Sequence, residues 1–186
     1  MAIFSRKPKI EEFESAALPH LNDLFRTAAR LLGDTARADD VVQDVYLAAF
    51  KSFERFEPGT NCRAWLFRIL FHTLHHYRRK WLNPREIRDA EEVIGRTASE
   101  PSPASGQITD EDVLESLATI PEEYRAVILL VDVEEFSYKD ASGILDVPVG
   151  TVMSRLSRGR RLLRERLGSV AEAYGIGQPA REGKRA

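Results

Sequence analysis

The sequence is poor in cysteine: Cys62 is the only one in 186 residues. A lone thiol excludes an intrachain disulfide and a CxxC redox or zinc pair. No apolar run reaches the ~18 residues that a membrane span needs. The opening residues, MAIFSRKPKIEEF, lack the apolar core of a signal peptide. No membrane insertion and a cytoplasmic location are therefore expected. No glycine-rich phosphate loop is present, and no nucleophile–base spacing stands out. His72 and His76 are four apart, as in a helical zinc pair, but no Glu follows His72 and no third ligand is evident. No metal, cofactor or catalytic residue is expected. Net charge is scarce as well, −2 from 27 basic and 29 acidic side chains. Any strongly basic face must therefore be offset by acid elsewhere. No strand pattern and no internal repeat can be found.

What is present describes a helical, globular protein. Hydrophobic residues make up 43% and charged residues 30%, which excludes a disordered chain. The length suits one ordinary domain or two small ones. Residues 1–18 are expected to be a leader, loose and basic over its first ten residues. A helix is predicted from His20 to Leu32, with Pro19 near its start and Gly33 as its stop. Asp34 or Thr35 can cap a second helix running to about Phe53. Phe56 to Asn61 is a loop, and Thr60 or Asn61 can cap a third helix to about Lys80. Asn83-Pro84 ends this first domain, 19–83. Residues 84–108 contain Gly95, Pro101, Pro103 and Gly106 among Ser and Glu, the composition of a flexible linker, with one helical turn near Glu91 to Ile94. Thr109 with Asp112 resembles a capping box. It opens a second domain, 109–170, in which Pro121 starts a further helix through Val133. A disordered tail is expected over 171–186. The predicted fold class is all-α, two small helical domains on a tether.

The stretch from Ser137 to Leu167 carries the clearest chemistry. Ser137 and Asp140 open a helix, a short turn follows, and Pro148 suits the first turn of a second helix. At about 100° per residue, Val152, Leu156, Gly159, Leu163 and Leu167 fall on one side of that helix. Thr151, Ser154, Arg155, Arg158 and Arg161 fall on another. The first set can pack on the preceding helix. The second can face a DNA major groove, where Arg reads guanine edges and Arg, Ser and Thr hold phosphates. An arginine run alone would suit a solvated face equally well; the VPVGTVMSRL register before it favours a helix-turn-helix.

Two helices of the first domain carry less specific signals. On the second, Val41, Val42, Val45, Tyr46 and Ala49 form a broad apolar side, while Asp40, Gln43, Asp44 and Leu47 share the opposite one. An exposed leucine among acids and an amide fits either a partner helix or an ordinary acidic surface. On the third, Leu66, Ile69, Leu70, Thr73 and Tyr77 look buried. Trp65, Arg68, His72, His75 and Arg79 cluster opposite. Rings that stack beside cations that neutralise suit unpaired bases next to phosphate. Packing within the domain is the other reading of Trp65.

PVGTVMSRLSRGRRLLRERL resembles region 4 of the small bacterial sigma-70-type factors, the extracytoplasmic-function (ECF) group. DDVVQDVYLAAFKSF, FEPGTNCRAWLFRIL and HHYRRK resemble region 2 of the same family, and the blocks occur in the family's order. The resemblance implies a non-catalytic subunit that binds core RNA polymerase and directs it to promoters. It implies that Asp40, Gln43, Asp44 and Leu47 meet a coiled coil of the beta-prime subunit, and that region 4 meets the beta flap. It implies that the loop ending at Asn61 and the helix bearing Trp65, Arg68, His72, His75 and Arg79 contact the minus-ten element. Thr151, Ser154, Arg155, Arg158 and Arg161 would contact the minus-thirty-five element. Relatives often have Asn where this chain has His72 and a small residue where it has Phe71. An anti-sigma partner and a role in stress response are also implied.

Two other function classes compete. A stand-alone helix-turn-helix regulator would use residues 19–83 for sensing or dimerisation, and leaves the Asp40/Gln43/Asp44 face and the aromatic-basic helix unexplained. A nucleic-acid enzyme would need clustered metal-binding carboxylates near the basic face, and none is found.

Overall fold

The computed structural model describes residues 10–57, 59–81 and 109–173, with the side chains of 78–81 and 172–173 left out. Every regular element among them is helical. The N-terminal unit contains α1 (Ile10–Ala17), a 3₁₀ turn (Leu18–His20), α2 (Leu21–Leu32), α3 (Thr35–Ser52), a second 3₁₀ turn (Phe53–Arg55) and α4 (Cys62–Trp81). The C-terminal unit contains α5 (Asp110–Ala118), α6 (Glu122–Ile128), α7 (Tyr138–Leu145) and α8 (Val149–Ala173). The predicted linker, its helical turn near Glu91 to Ile94, and the tail beyond 173 lie outside the described residues; 171–173 continue α8.

Local chemistry sets most helix ends. Gly33 closes α2 in the left-handed region, at φ 67°, where glycine carries no Cβ penalty. Asp34 caps α3, its carboxylate accepting from the N–H groups of Ala36 at 2.9 Å and Arg37 at 3.1 Å. Asn61 caps α4 by accepting from the Ala64 N–H at 3.0 Å. Thr109 and Asp112 form a reciprocal capping box on α5. The Ser137 hydroxyl accepts from the Asp140 N–H at the start of α7.

Two elements depart from the sequence expectation. The predicted leader, 1–18, contains α1, whose Phe13 is buried and edge-on to Tyr46, Phe50 and Phe53 at 6.2, 5.3 and 5.2 Å. The Tyr46 hydroxyl donates to the Ala17 carbonyl at 2.8 Å and ties α1 to α3. Charges around Phe13 hide the helix in the sequence, because one aromatic anchor gives little periodicity. Second, the helix expected from Pro121 through Val133 widens after Ile128 into a π-helical turn, Leu129–Val133. The turn returns the Glu134 N–H to the Leu129 carbonyl at 2.9 Å, and Glu135 follows at φ 56°.

The two units are not merely tethered. They share one buried core, with α4 against α7 and α2 against α5 and α6. Phe67 of α4 meets Phe136 at 4.9 Å, ring edge to face. In the C-terminal unit α8 crosses α6 closely at Gly159. A Cβ there would stand 2.9 Å from Ile128 Cδ1 and 3.1 Å from Tyr124 Cβ. Gly168, further along α8, has open space around it.

These two glycines should respond oppositely. Gly159→Val should destabilise the protein by about 1–3 kcal/mol through overpacking. Gly168→Ala should stabilise it by about 0.5–1 kcal/mol through helix propensity. Urea unfolding of each variant measures both, and equal effects would exclude the close crossing.

Candidate nucleic-acid interface

The helix-turn-helix is α7 and α8. Asp146, left-handed at φ 53°, ends α7, and the Ser142 hydroxyl donates across the turn to the Val147 carbonyl at 2.6 Å. The Pro148 carbonyl accepts from the N–H groups of Thr151 and Val152 at 2.9 and 3.1 Å. Val152 and Leu156 are buried, as is Gly159, while Leu163 and Leu167 are half-buried. The apolar side of α8 therefore packs inward along its first turns. On the polar side Ser154, Arg158 and Arg161 are exposed and Thr151 is half-buried. Arg161 reaches Glu165 at 3.8 Å on its own helix. Arg155 is more confined, paired with Glu123 of α6 at 3.1 Å. Arg160 pairs with Asp132 through two contacts, 3.0 and 2.5 Å, and that hydrogen bonding raises its already high pKa.

On α3, Val41, Val42, Val45 and Ala49 are buried and Tyr46 is half-buried. Asp40, Gln43 and Asp44 are exposed opposite them, and Leu47 is 58% exposed. Gln43 Nε2 donates to Asp39 at 3.0 Å, which pre-orients the amide along this face.

On α4, Arg68, His72 and His75 are exposed. The Arg79 side chain lies outside the described residues. Trp65 is half-buried between Phe56 at 5.0 Å and Phe53 at 6.2 Å, and Phe56 stacks on Phe53 at 5.7 Å. Trp65 thus packs against Phe53 and Phe56 of the segment before α4. Its ring position follows from the fold of Phe53 to Asn61 over the start of α4, which helical periodicity cannot supply. Asn61 is exposed, with Oδ1 held as the cap of α4. The His72 and His76 rings approach to 4.6 Å. Among the described residues no group of three or more His, Cys, Asp or Glu is placed to hold a metal. Burial pushes the Cys62 thiol pKa up, away from the reactive thiolate.

The predicted DNA faces of the two units meet across one cleft of about 600 Å³. Arg68, His72 and His75 line one wall, and Glu123, Asp146 and Arg155 line the other. Beside it lies a polar seam with no sequence signal. Glu134 is 5% exposed. Its carboxylate forms a short ion pair with Arg63 and accepts from the Thr27 hydroxyl at 3.1 Å. Arg63 also donates to the Glu134 carbonyl at 2.7 Å, pairs with Asp23 at 3.1 Å and lies 4.5 Å over the Phe136 ring. Buried Arg125 reaches the carbonyls of Ala118 at 3.0 Å and Leu31 at 3.3 Å, and burial lowers its pKa. The paired residues stand 71 and 107 positions apart in sequence, so helical periodicity gave no hint of their meeting.

Comparisons with known proteins agree with this arrangement of elements. Residues 17–82 match the family model of Sigma-70 region 2, and residues 110–163 match that of Sigma-70, region 4. The chain is 35% identical over 148 residues to the ECF RNA polymerase sigma factor EcfG of Rhodopseudomonas palustris, covering 80% of this chain and 79% of that one. It is 28% identical over 184 residues to the ECF RNA polymerase sigma factor SigW of Bacillus subtilis, covering 90% and 97%. The sigma factor RpoE of Bartonella quintana, solved in complex with the anti-sigma factor NepR, has a similar fold: TM-score 0.68, 31% identity, 86% of this chain and 98% of that one. CnrH, solved with the cytosolic domain of CnrY, gives a TM-score of 0.62 at 26% identity, over 87% and 90%. The region 2 match occupies the segment that a stand-alone regulator would devote to sensing. With the two regions in this order, the chain belongs to the ECF group of the sigma-70 family of RNA polymerase sigma factors.

Proposed function

We propose that this chain binds core RNA polymerase and directs it to promoters, with region 2 working at the minus-ten element and region 4 at the minus-thirty-five element. The observation that carries this reading is the ordered pair of region matches on one chain. Residues 19–83 and 109–170 are the two working domains, and the segment 84–108 is the tether. The chain performs no catalysis; polymerase does the chemistry in the cytoplasm. An anti-sigma factor holds it in check, by analogy with the solved complex of RpoE with the anti-sigma factor NepR. Run-off transcription with core polymerase and genomic fragments tests the whole assignment. Transcripts that need both core and this chain are expected, and their absence on every fragment would refute it.

Asp40, Gln43, Asp44 and Leu47 form the polymerase contact. An acidic rim around an exposed leucine suits a basic coiled coil, because complementary charge steers the encounter and excludes wrong partners. Asp44→Arg and Gln43→Arg should each weaken co-purification with core polymerase about tenfold or more while leaving the thermal midpoint unchanged. Normal co-purification of both would remove this face from the interface.

Arg68, His72, His75 and Arg79 meet the melted strand, with Asn61 at the loop and Trp65 as its support. Trp65→Ala should cost about 2 kcal/mol of stability, below the range of roughly 3–5 for a fully buried ring. Arg68→Ala should stay within about 0.5 kcal/mol of the parent yet reduce permanganate reactivity at the minus-ten element. Urea unfolding and footprinting on duplex and pre-melted templates separate the two. An Arg68→Ala defect of the same size on both templates would place the residue outside strand opening.

Arg155, with Thr151 and Ser154, contacts bases near the start of the recognition helix, and Arg158 and Arg161 hold phosphate. In the complex with core, Arg155→Ala should cost about 1–3 kcal/mol on the cognate minus-thirty-five element and relax sequence choice. Arg158→Ala should weaken all sequences alike and lower the salt slope by about one. Titrations with cognate and scrambled promoters at several salt concentrations measure both, and unchanged specificity in Arg155→Ala would remove this helix face from base recognition.

A further inference from the structure

We infer that the seam between the two units is an autoinhibitory latch, in which Glu134 holds region 4 against region 2 in a closed state that cannot work at a promoter. The inference rests on the proposed division of promoter contacts between the two regions. The cleft places Arg68, His72 and His75 of one unit across from Arg155 of the other. The minus-ten and minus-thirty-five elements are about 25 base pairs apart, roughly 85 Å at about 3.4 Å per pair. A compact chain of this length has a radius of gyration of about 16 Å, so side chains sharing one cleft cannot reach both elements. The interface must come apart. The segment 82–108 has a contour length of about 90 Å, enough to let the units separate without breaking either.

The latch is local and chemically specific. Glu134 reaches it because the π turn redirects the chain out of α6, and Glu135 takes up the change at φ 56°. Such irregularities mark functional positions more often than ordinary helix does. The carboxylate then meets Arg63 from α4 and Thr27 from α2, and Phe136 closes on Phe67 beside it. The polymerase face of α3 lies outside the seam: Leu47 stays exposed while the latch is shut. The closed state can therefore meet polymerase and still withhold its DNA faces. Its population lowers apparent promoter-complex affinity by the fraction of molecules that are open.

The test uses the full chain. Small-angle scattering should give a compact parent. Glu134→Ala should raise the radius of gyration by roughly a third, as separation of two small domains requires. Thr27→Val, which removes one hydroxyl and keeps its volume, should move it in the same direction by less. Unchanged helical circular dichroism identifies opening as distinct from unfolding. In run-off transcription at limiting core, both variants should reach half-maximal product at lower concentration than the parent, Glu134→Ala at least about threefold lower. Compact scattering from both variants would overturn the latch, as would opening with no gain in transcription. If the parent itself supports no core-dependent transcription, the promoter reading fails, and with it the inhibitory role. Scattering then still decides whether Glu134 holds the units together.

Discussion

A buried carboxylate has few tolerable environments, and Glu134 has one of them. Removed from water, it needs an opposite charge and hydrogen bonds on its remaining lone pairs. Arg63 and Thr27 provide these from two helices of the other unit. Arg63 is fixed in turn by Asp23 and by the Phe67 and Phe136 rings beneath its guanidinium. The requirement to satisfy one carboxylate thus sets how α2 and α4 sit against the C-terminal unit. A purely apolar seam would permit sliding; a directional ion pair joined by a hydroxyl hydrogen bond defines a single register.

Charge segregation is the second constraint. The near-neutral total conceals an acidic face on α3, with Asp40 and Asp44, and basic faces on α4 and α8. On the C-terminal unit acid is interleaved with base: Glu123 holds Arg155 beside the cleft, and Asp132 holds Arg160. Exposed pairs of this kind add little stability. Their effect is to hold the Arg155 and Arg160 guanidinium groups in defined positions. A factor that binds both RNA polymerase and promoter DNA needs separation of surfaces more than it needs net charge.

Much of the architecture was legible because it is locally encoded. Gly33, Asp34, Asn61, Thr109 and Ser137 each start or stop a helix through contacts within four residues; the sequence identifies Gly33, Thr109 and Ser137 and narrows the other two caps to adjacent pairs, Asp34 or Thr35 and Thr60 or Asn61. The helix-turn-helix is equally local, since Val152, Leu156 and Gly159 at helical spacing dictate which side of α8 turns inward. The exposure of Asp40, Gln43, Asp44 and Leu47 follows from the same periodicity on α3. The first helix was missed because Phe13 is a single aromatic anchor among glutamates, and its value appears only once Phe50 and Phe53 surround it.

What tertiary structure alone decided is how distant segments meet. Trp65 lies on the predicted basic-aromatic side of α4, yet Phe53 and Phe56 fold over it and make it a support for the loop. Arg63 and Glu134 look like ordinary surface charges in their own neighbourhoods; a buried Glu134 meets a half-buried Arg63 because a π turn and a left-handed residue bring Glu134 to α4. Periodicity constrains the direction of a side chain relative to its own helix. Which helix lies opposite depends on long-range packing, and that governs both the seam between the units and the cleft beside it.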